Sequence, residues 1–237
     1  MLLPHLEKAM LTADWPLEYA IRVVNKERQW DGYFHPSSDA DSELLYLYYR
    51  FHPRYHLDYE RPGPELEMTF QVGNAYHAIM QSMLIHLGFT TEEECERSFV
   101  SQERWCSGTL DVRKLYLPDG STPPLEIKST GWIPKEPMRK HRQQLNIYMD
   151  LGCEEPQERG VLLYMEKQAP HRLAEFVIER DEELLKGIYD KWAIVREAIA
   201  ADTDEGLREC CVRNTKDHRE CPARHICRIG SPEVRIR

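Results

Sequence analysis

Nowhere in the 237 residues does an apolar run approach the ~18 residues of a membrane-spanning helix, which excludes a bitopic or polytopic helical membrane protein. The opening stretch, MLLPHLEKAMLTADW, lacks the basic start, apolar middle and small-residue cleavage site of a signal peptide. Export is therefore not expected, and a cytoplasmic location is. Positive charge is also short: 31 Lys and Arg against 40 Asp and Glu leave a net charge of −9. That argues against a protein that coats nucleic acid without specificity. It leaves room for a nuclease, in which metal ions and a local basic patch can do the attracting. Internal repeats and low-complexity linkers are absent. So is an even set of cysteines, because there are seven. Cys210, Cys211, Cys221 and Cys227 are packed near the C-terminus, a distribution that suits a reducing compartment and a metal site better than a disulfide framework.

With 41% hydrophobic and 30% charged residues, the composition is that of one ordinary globular domain with a small appendage. Residues 1–30 read as one or two short helices. His35-Pro36-Ser37-Ser38 reads as a turn and helix cap, and the aromatic run from Glu43 to Arg50 as a buried helix. A helix is expected from Glu65 to Leu87, with Phe70, Gly73, His77, Met80 and Leu84 on its apolar stripe. A histidine on such a stripe is ordinarily a satisfied core residue, and Gly73 would let a strand or ligand approach the helix closely. Ser98–Trp105 reads as a strand, Met138–Leu151 as a helix, Gly160–Lys167 and Leu173–Ile178 as interior and edge strands, and Asp181–Ala201 as a long amphipathic helix. This order predicts an α/β fold with a mixed sheet flanked by helices. The expected divisions are an N-terminal helical segment (1–64), a core (65–205) and a Cys-rich C-terminal element (206–237).

The stretch from Gly108 to Thr130, GTLDVRKLYLPDGSTPPLEIKST, contains two β-prone runs separated by Pro-Asp-Gly and Pro-Pro, the pattern of a hairpin. A two-residue turn at Asp119-Gly120 would set Asp111 opposite Lys128. Because strand side chains alternate, Asp111, Glu126 and Lys128 would then share a face, with Leu110, Val112, Leu125 and Ile127 on the other. Two close carboxylates call for a cation, and hard oxygen ligands suit Mg²⁺ or Mn²⁺. Lys128 could stabilise charge developing on a phosphate. The same three residues could equally form a solvated hairpin face with a cross-strand ion pair. Arg139, Lys140, His141 and Arg142 crowd the start of the helix that follows. Their charge opposes the helix dipole there, which leaves phosphate contact or a solvated face as their role. Gln144 and Tyr148 lie one turn apart on that helix.

The ordered series GNAYH (Gly73 to His77), GTLD (Gly108 to Asp111), EIK (Glu126 to Lys128) and QLNIY (Gln144 to Tyr148) resembles the PD-(D/E)xK nuclease superfamily, in its RecB-like exonuclease branch. That branch includes nuclease domains of bacterial recombination enzymes, CRISPR-adaptation nucleases and phage exonucleases, and the likeness runs from about His35 to Cys227. It implies a restriction-endonuclease-like core. It also implies divalent ions held by His77, Asp111, Glu126 and the Ile127 carbonyl, a catalytic Lys128, and Gln144 and Tyr148 placed near the scissile phosphate. The activity implied is Mg²⁺- or Mn²⁺-dependent hydrolysis at DNA ends in recombination, repair or phage replication. DNA is then the partner, beside a recombination or replication protein. Two alternatives carry the same residues: a non-cleaving DNA-end or recombination-partner binder, and an RNA-directed or CRISPR-adaptation nuclease. Members of the family often hold a four-cysteine iron–sulfur cluster. Here Cys221 and Cys227 match its last two positions, His218 stands at the preceding one, and Asp41 and Ser42 stand where an early cysteine would fall. Cys211, His218, Cys221 and Cys227 form a set suited to Zn²⁺, and a [4Fe–4S] cluster would need further thiolates.

Overall fold

The structure, a computed structural model, describes residues 2–10, 20, 31–57, 63–207 and 216–227. Its helices are α1 (Leu3–Met10), α2 (Pro36–Asp39), α3 (Leu44–Phe51), α4 (Pro64–His86), α5 (Arg139–Ile147), α6 (Glu182–Ala200) and α7 (Lys216–Glu220). The strands are β1 (Cys95–Ser101), β2 (Cys106–Val112), β3 (Leu125–Thr130), β4 (Arg159–Glu166) and β5 (Leu173–Glu179). They form one open sheet in the order β1-β2-β3-β4-β5, antiparallel except for the parallel β3–β4 pair. A parallel pair needs a crossover, and α5 lies in the β3–β4 connection. The expected α/β class with a flanked mixed sheet is therefore present.

The alternation of apolar residues decides which helix covers which face. Val112, Leu125, Ile127, Val161, Leu163 and Met165 point to one side and are buried under α1 and α4 through Leu2, Leu6, Met80, Met83 and Leu84. Leu162, Tyr164 and Ile178 point to the other and pack against Leu145 and Met149. β4 is thus apolar on both faces, as an interior strand must be. Asp181 caps α6, its Oδ1 accepting from the Leu184 amide at 2.9 Å. The buried stripe of α6, Leu185, Ile188, Trp192 and Val195, meets the aromatic N-terminal segment. Phe34 stacks on Trp192 with ring centroids 5.0 Å apart and bridges to Cys106 at the start of β2. Phe34, Ala40, Leu47 and Phe51 therefore share one apolar cluster with Cys106, Ile147 and the α6 stripe.

Several local expectations need correction. The first strand begins at Cys95 and stops at Ser101, because Gln102 to Trp105 turn the chain back and Trp105 adopts a left-handed φ of +52°. The connection between β2 and β3 turns on Pro118-Asp119, with the Gly120 amide donating to the Leu117 carbonyl at 2.9 Å and Gly120 itself at φ +81°. The register, Val112 paired with Leu125, sets Asp111 across from Glu126 in place of Lys128. The difference is two residues, an even step, so the three side chains keep a common face. Phe70 is 50% exposed, not part of the core stripe, because the first turns of α4, residues 64–72, are exposed throughout. Helix α5 ends at Ile147 and continues as a π-helical turn, Tyr148–Gly152.

Candidate active site

Asp111 sits where two hydrogen-bond ladders fail. On the β3 side, the strands pair only at Val112–Leu125, and the Asp111 Oδ2 takes the Ile127 amide at 2.7 Å, standing in for a main-chain acceptor. The strands part at that point. Helix α4 covers the far face of the sheet, so His77 reaches Asp111 from that side, with Nδ1 3.2 Å from Oδ1. Gly73, one turn earlier, makes the approach close: a Cβ there would lie 3.1 Å from the Ser129 hydroxyl.

Glu126 and Lys128 follow on β3. Lys128 Nζ donates to Glu126 Oε1 and to Gln144 Oε1, each at 2.7 Å. The Gln144 amide completes the triangle, donating to Glu126 Oε1 at 2.7 Å and to the Tyr148 hydroxyl at 3.0 Å. Tyr148 comes this near because Gly108 has no side chain; a Cβ would fall 3.0 Å from the Tyr148 ring and 2.8 Å from the Phe99 ring. Glu126 Oε1 thus accepts twice, while Glu126 Oε2 is buried with no hydrogen-bond partner. An orphaned buried carboxylate oxygen is costly, on the order of 1–3 kcal/mol or more.

Electrostatics follow from this crowding. Burial and the negative charge of Asp111 push the Glu126 carboxyl up to about 7, against the pull of Lys128. Burial also works to raise Asp111, but the charge and hydrogen bond of His77, with Lys128, hold it below its ordinary value. For His77 burial lowers the imidazole, and the neighbouring Asp111 and Glu126 outweigh it, leaving it raised. The Tyr148 phenol is driven far upward by burial and by Glu126, so it stays protonated and can donate.

These residues line one cavity of about 400 Å³ with Asn74, Ser98, Phe99, Val100, Ser107 and Thr109. Asp31 and His35 line it too. His35 Nε2 lies 3.2 Å from Asp31 Oδ1, and the Ser107 hydroxyl donates to Asp31 Oδ2. Asp31 and Ser107 are 76 residues apart and carry no local sequence signal, and His35 is expected from the sequence as a helix cap. His35 makes no side-chain cap to α2.

The basic cluster does not converge. His141 is buried against the Tyr164 hydroxyl at 2.8 Å, and burial, with Lys128 and Lys140 nearby, pulls its imidazole down to about 3, so it is neutral. Lys140 is one turn before Gln144 on the same helical face. Arg139 lies 3.5 Å from Asp41, and Arg142 borders a groove with Phe176 and Glu179. Of the C-terminal set, Cys221 and Cys227 are placed, with Cys227 buried beside Tyr48, Tyr49 and Leu57. Cys210, Cys211 and the His218 side chain lie outside the described residues.

Among the described residues no three His, Cys, Asp or Glu side chains stand as a ready-made metal shell. Here His77 is turned to Asp111 and Lys128 to Glu126, so a cation would enter by displacing these internal partners. The donor types would suit a hard divalent ion: two carboxylates, Asp111 held ionised and Glu126 with a partnerless buried oxygen, and the His77 imidazole 3.2 Å from Asp111. If His77 is a ligand, His77→Ala should weaken Mn²⁺ binding by about 10-fold or more with little change in Tm. A fall in Tm that accounts for all loss of activity would return His77 to the core.

No family model matches the chain, and no curated protein matches it. Among solved proteins, the crystal structure of SSO0001 is similar, with a TM-score of 0.50 and 18% identity, covering 89% of this chain and 93% of that one. At that identity the likeness concerns the fold alone. No helix of the described residues is long and apolar enough to cross a membrane.

Proposed function

We propose that the protein is a divalent-metal-dependent deoxyribonuclease on a restriction-endonuclease-like core of the PD-(D/E)xK type, hydrolysing phosphodiester bonds at DNA ends in recombination, repair or phage replication. The observation that carries this reading is the buried, partnerless Glu126 Oε2, on a carboxylate that feels the charges of Asp111 and His77 and is bonded by Lys128. Asp111, Glu126 and His77, with the Ile127 carbonyl, would hold Mg²⁺ or Mn²⁺. When bound, such an ion lowers the pKa of a coordinated water and screens the phosphodiester's charge. Lys128, bonded to Glu126 and Gln144, would offer its ammonium to the phosphate oxygen on which charge develops. Gln144 keeps Lys128 aimed by accepting from Nζ at 2.7 Å. Tyr148, protonated and bonded to Gln144, offers a donor to the bound strand. Zn²⁺ or a [4Fe–4S] cluster at the C-terminal cysteines remains a proposal on Cys221 and Cys227, with Cys211 and His218 from outside the described side chains.

The test is cleavage of end-labelled single- and double-stranded DNA and of RNA, with Mn²⁺ or Mg²⁺ and with chelator, by wild type and Lys128→Ala. The expected result is cation-dependent DNA cleavage lost in the variant. DNA binding without any cleavage would favour the non-cleaving reading, and cleavage confined to RNA the RNA-directed one.

Of Arg139, Lys140 and Arg142, it is Lys140 that stands one turn from Gln144 on its face, so the basic residues should behave differently. Lys140→Gln should reduce the slope of log K against log salt by about one, and Arg142→Gln should leave it near wild type. Wild-type slopes in both variants would mean that the helix start is only a solvated face.

A further inference from the structure

Gln81 lies one turn beyond His77 on α4 and is fully buried. Its Nε2 donates to the main-chain oxygen of Asp111 at 2.8 Å and to Glu96 Oε1 at 3.0 Å. Both partners are acceptors, which settles the amide orientation: the NH₂ must face them, and the amide oxygen must face away. That oxygen is buried without a partner. Glu96 is unusual as well. The β1–β2 pairing runs from Cys95–Val112 to Arg97–Leu110 and skips Glu96, which would stand opposite Asp111. Its backbone is left-handed, at φ +51°, where a residue with a Cβ is disfavoured.

Two unfavourable features, an orphaned oxygen and a left-handed glutamate, therefore meet opposite one aspartate. The bond they make possible is the one from Gln81 to the Asp111 carbonyl. With it, Asp111 is held at three points: the carbonyl by Gln81, Oδ2 by the Ile127 amide and Oδ1 by His77. Local strain retained by surrounding structure is characteristic of functional sites. We propose that Gln81, with Glu96 as its anchor, is a positioning residue that fixes Asp111 for the cation. This rests on the metal-dependent reading of the site. Gln81 itself touches neither cation nor substrate and acts through Asp111.

The test uses Gln81→Met, which keeps the volume and removes both bonds. The variant takes the Gln81 bond from the Asp111 carbonyl but also removes the orphaned Gln81 oxygen, so the effects oppose and Tm should move by no more than about 4 °C. Mn²⁺ affinity, read by calorimetry, should fall by roughly 10- to 100-fold, as for residues that orient metal ligands. In metal-free protein, hydrogen exchange at the Ile127 amide, which reports where Asp111 Oδ2 sits, should quicken by about 10-fold while β4 amides stay protected. Glu96→Gly provides a second reading. Glycine accepts the left-handed backbone, so the variant should be at least as stable, yet lose several-fold in Mn²⁺ affinity because Gln81 loses its anchor. Wild-type Mn²⁺ affinity and Ile127 exchange in Gln81→Met, or losses fully matched by unfolding, would overturn the proposal. A wild-type protein that binds no Mn²⁺ would instead overturn the metal-dependent reading, while the Ile127 exchange still decides whether Gln81 positions Asp111.

Discussion

Asp111→Ala should abolish cation-dependent cleavage and Lys128→Ala nearly abolish it, yet they should differ in what else they lose. Asp111 is held ionised and is fixed by His77, the Ile127 amide and Gln81. Its removal should take Mn²⁺ binding with it and reduce the rate below detection. On the proposed reading, the positive charge of Lys128 would oppose cation entry and would then stabilise the phosphate. Lys128→Ala should therefore bind Mn²⁺ as tightly as wild type or more tightly, while cleaving on the order of 10³-fold more slowly. Calorimetry beside single-turnover kinetics separates the two. An Asp111→Ala protein that binds Mn²⁺ and cleaves normally would remove the carboxylates from the mechanism.

The second large effect is on stability, through Glu126. In the metal-free protein its carboxyl keeps a proton up to about 7, whereas in the unfolded chain it ionises near the ordinary glutamate value. Between those values the folded state binds more protons, so stability falls as pH rises through that window and the loss is complete above it. Glu126→Gln cannot ionise, and its amide can still accept from Lys128. Near pH 8 and without metal, the variant should be the more stable protein by on the order of 2 kcal/mol, and the difference should vanish near pH 4.5. Saturating Mn²⁺ should reverse the order, because only wild type gains from binding. Wild-type Mn²⁺ affinity should also weaken as pH falls through about 7, since the proton and the cation compete for one carboxylate. Thermal melts across pH, with and without Mn²⁺, check all three. A pH-independent difference between variant and wild type would mean that Glu126 is ionised throughout.

The parts of this site that could be read in the sequence are those that local periodicity governs. Asp111, Glu126 and Lys128 lie on strands with period two, so their common face survives the two-residue difference in register. Gln144 and Tyr148 lie one turn apart, and the hydrogen bond between them follows from that spacing. Register itself was not legible. It depends on Pro118-Asp119 forming the turn and on the Asp111 carboxylate replacing a main-chain acceptor, a tertiary substitution with no sequence mark. Gln81 could have been noticed, since it sits four residues after His77, but a glutamine on an apolar helix stripe says nothing of its partners. Phe70 was misplaced because a helix stripe does not reveal which of its turns are left exposed. The basic cluster was legible as composition but not as a surface, because burial of His141 and the turn of α5 disperse it.

Crystals soaked in Mn²⁺ and measured by anomalous scattering would locate the cation directly. The expected result is a peak between the carboxylates of Asp111 and Glu126, in contact with Glu126 Oε2, with Lys128 moved away from Glu126 Oε1. A lattice that takes up Mn²⁺ only elsewhere, with Lys128, Glu126 and Gln144 still bonded to one another, would contradict a metal-dependent nuclease.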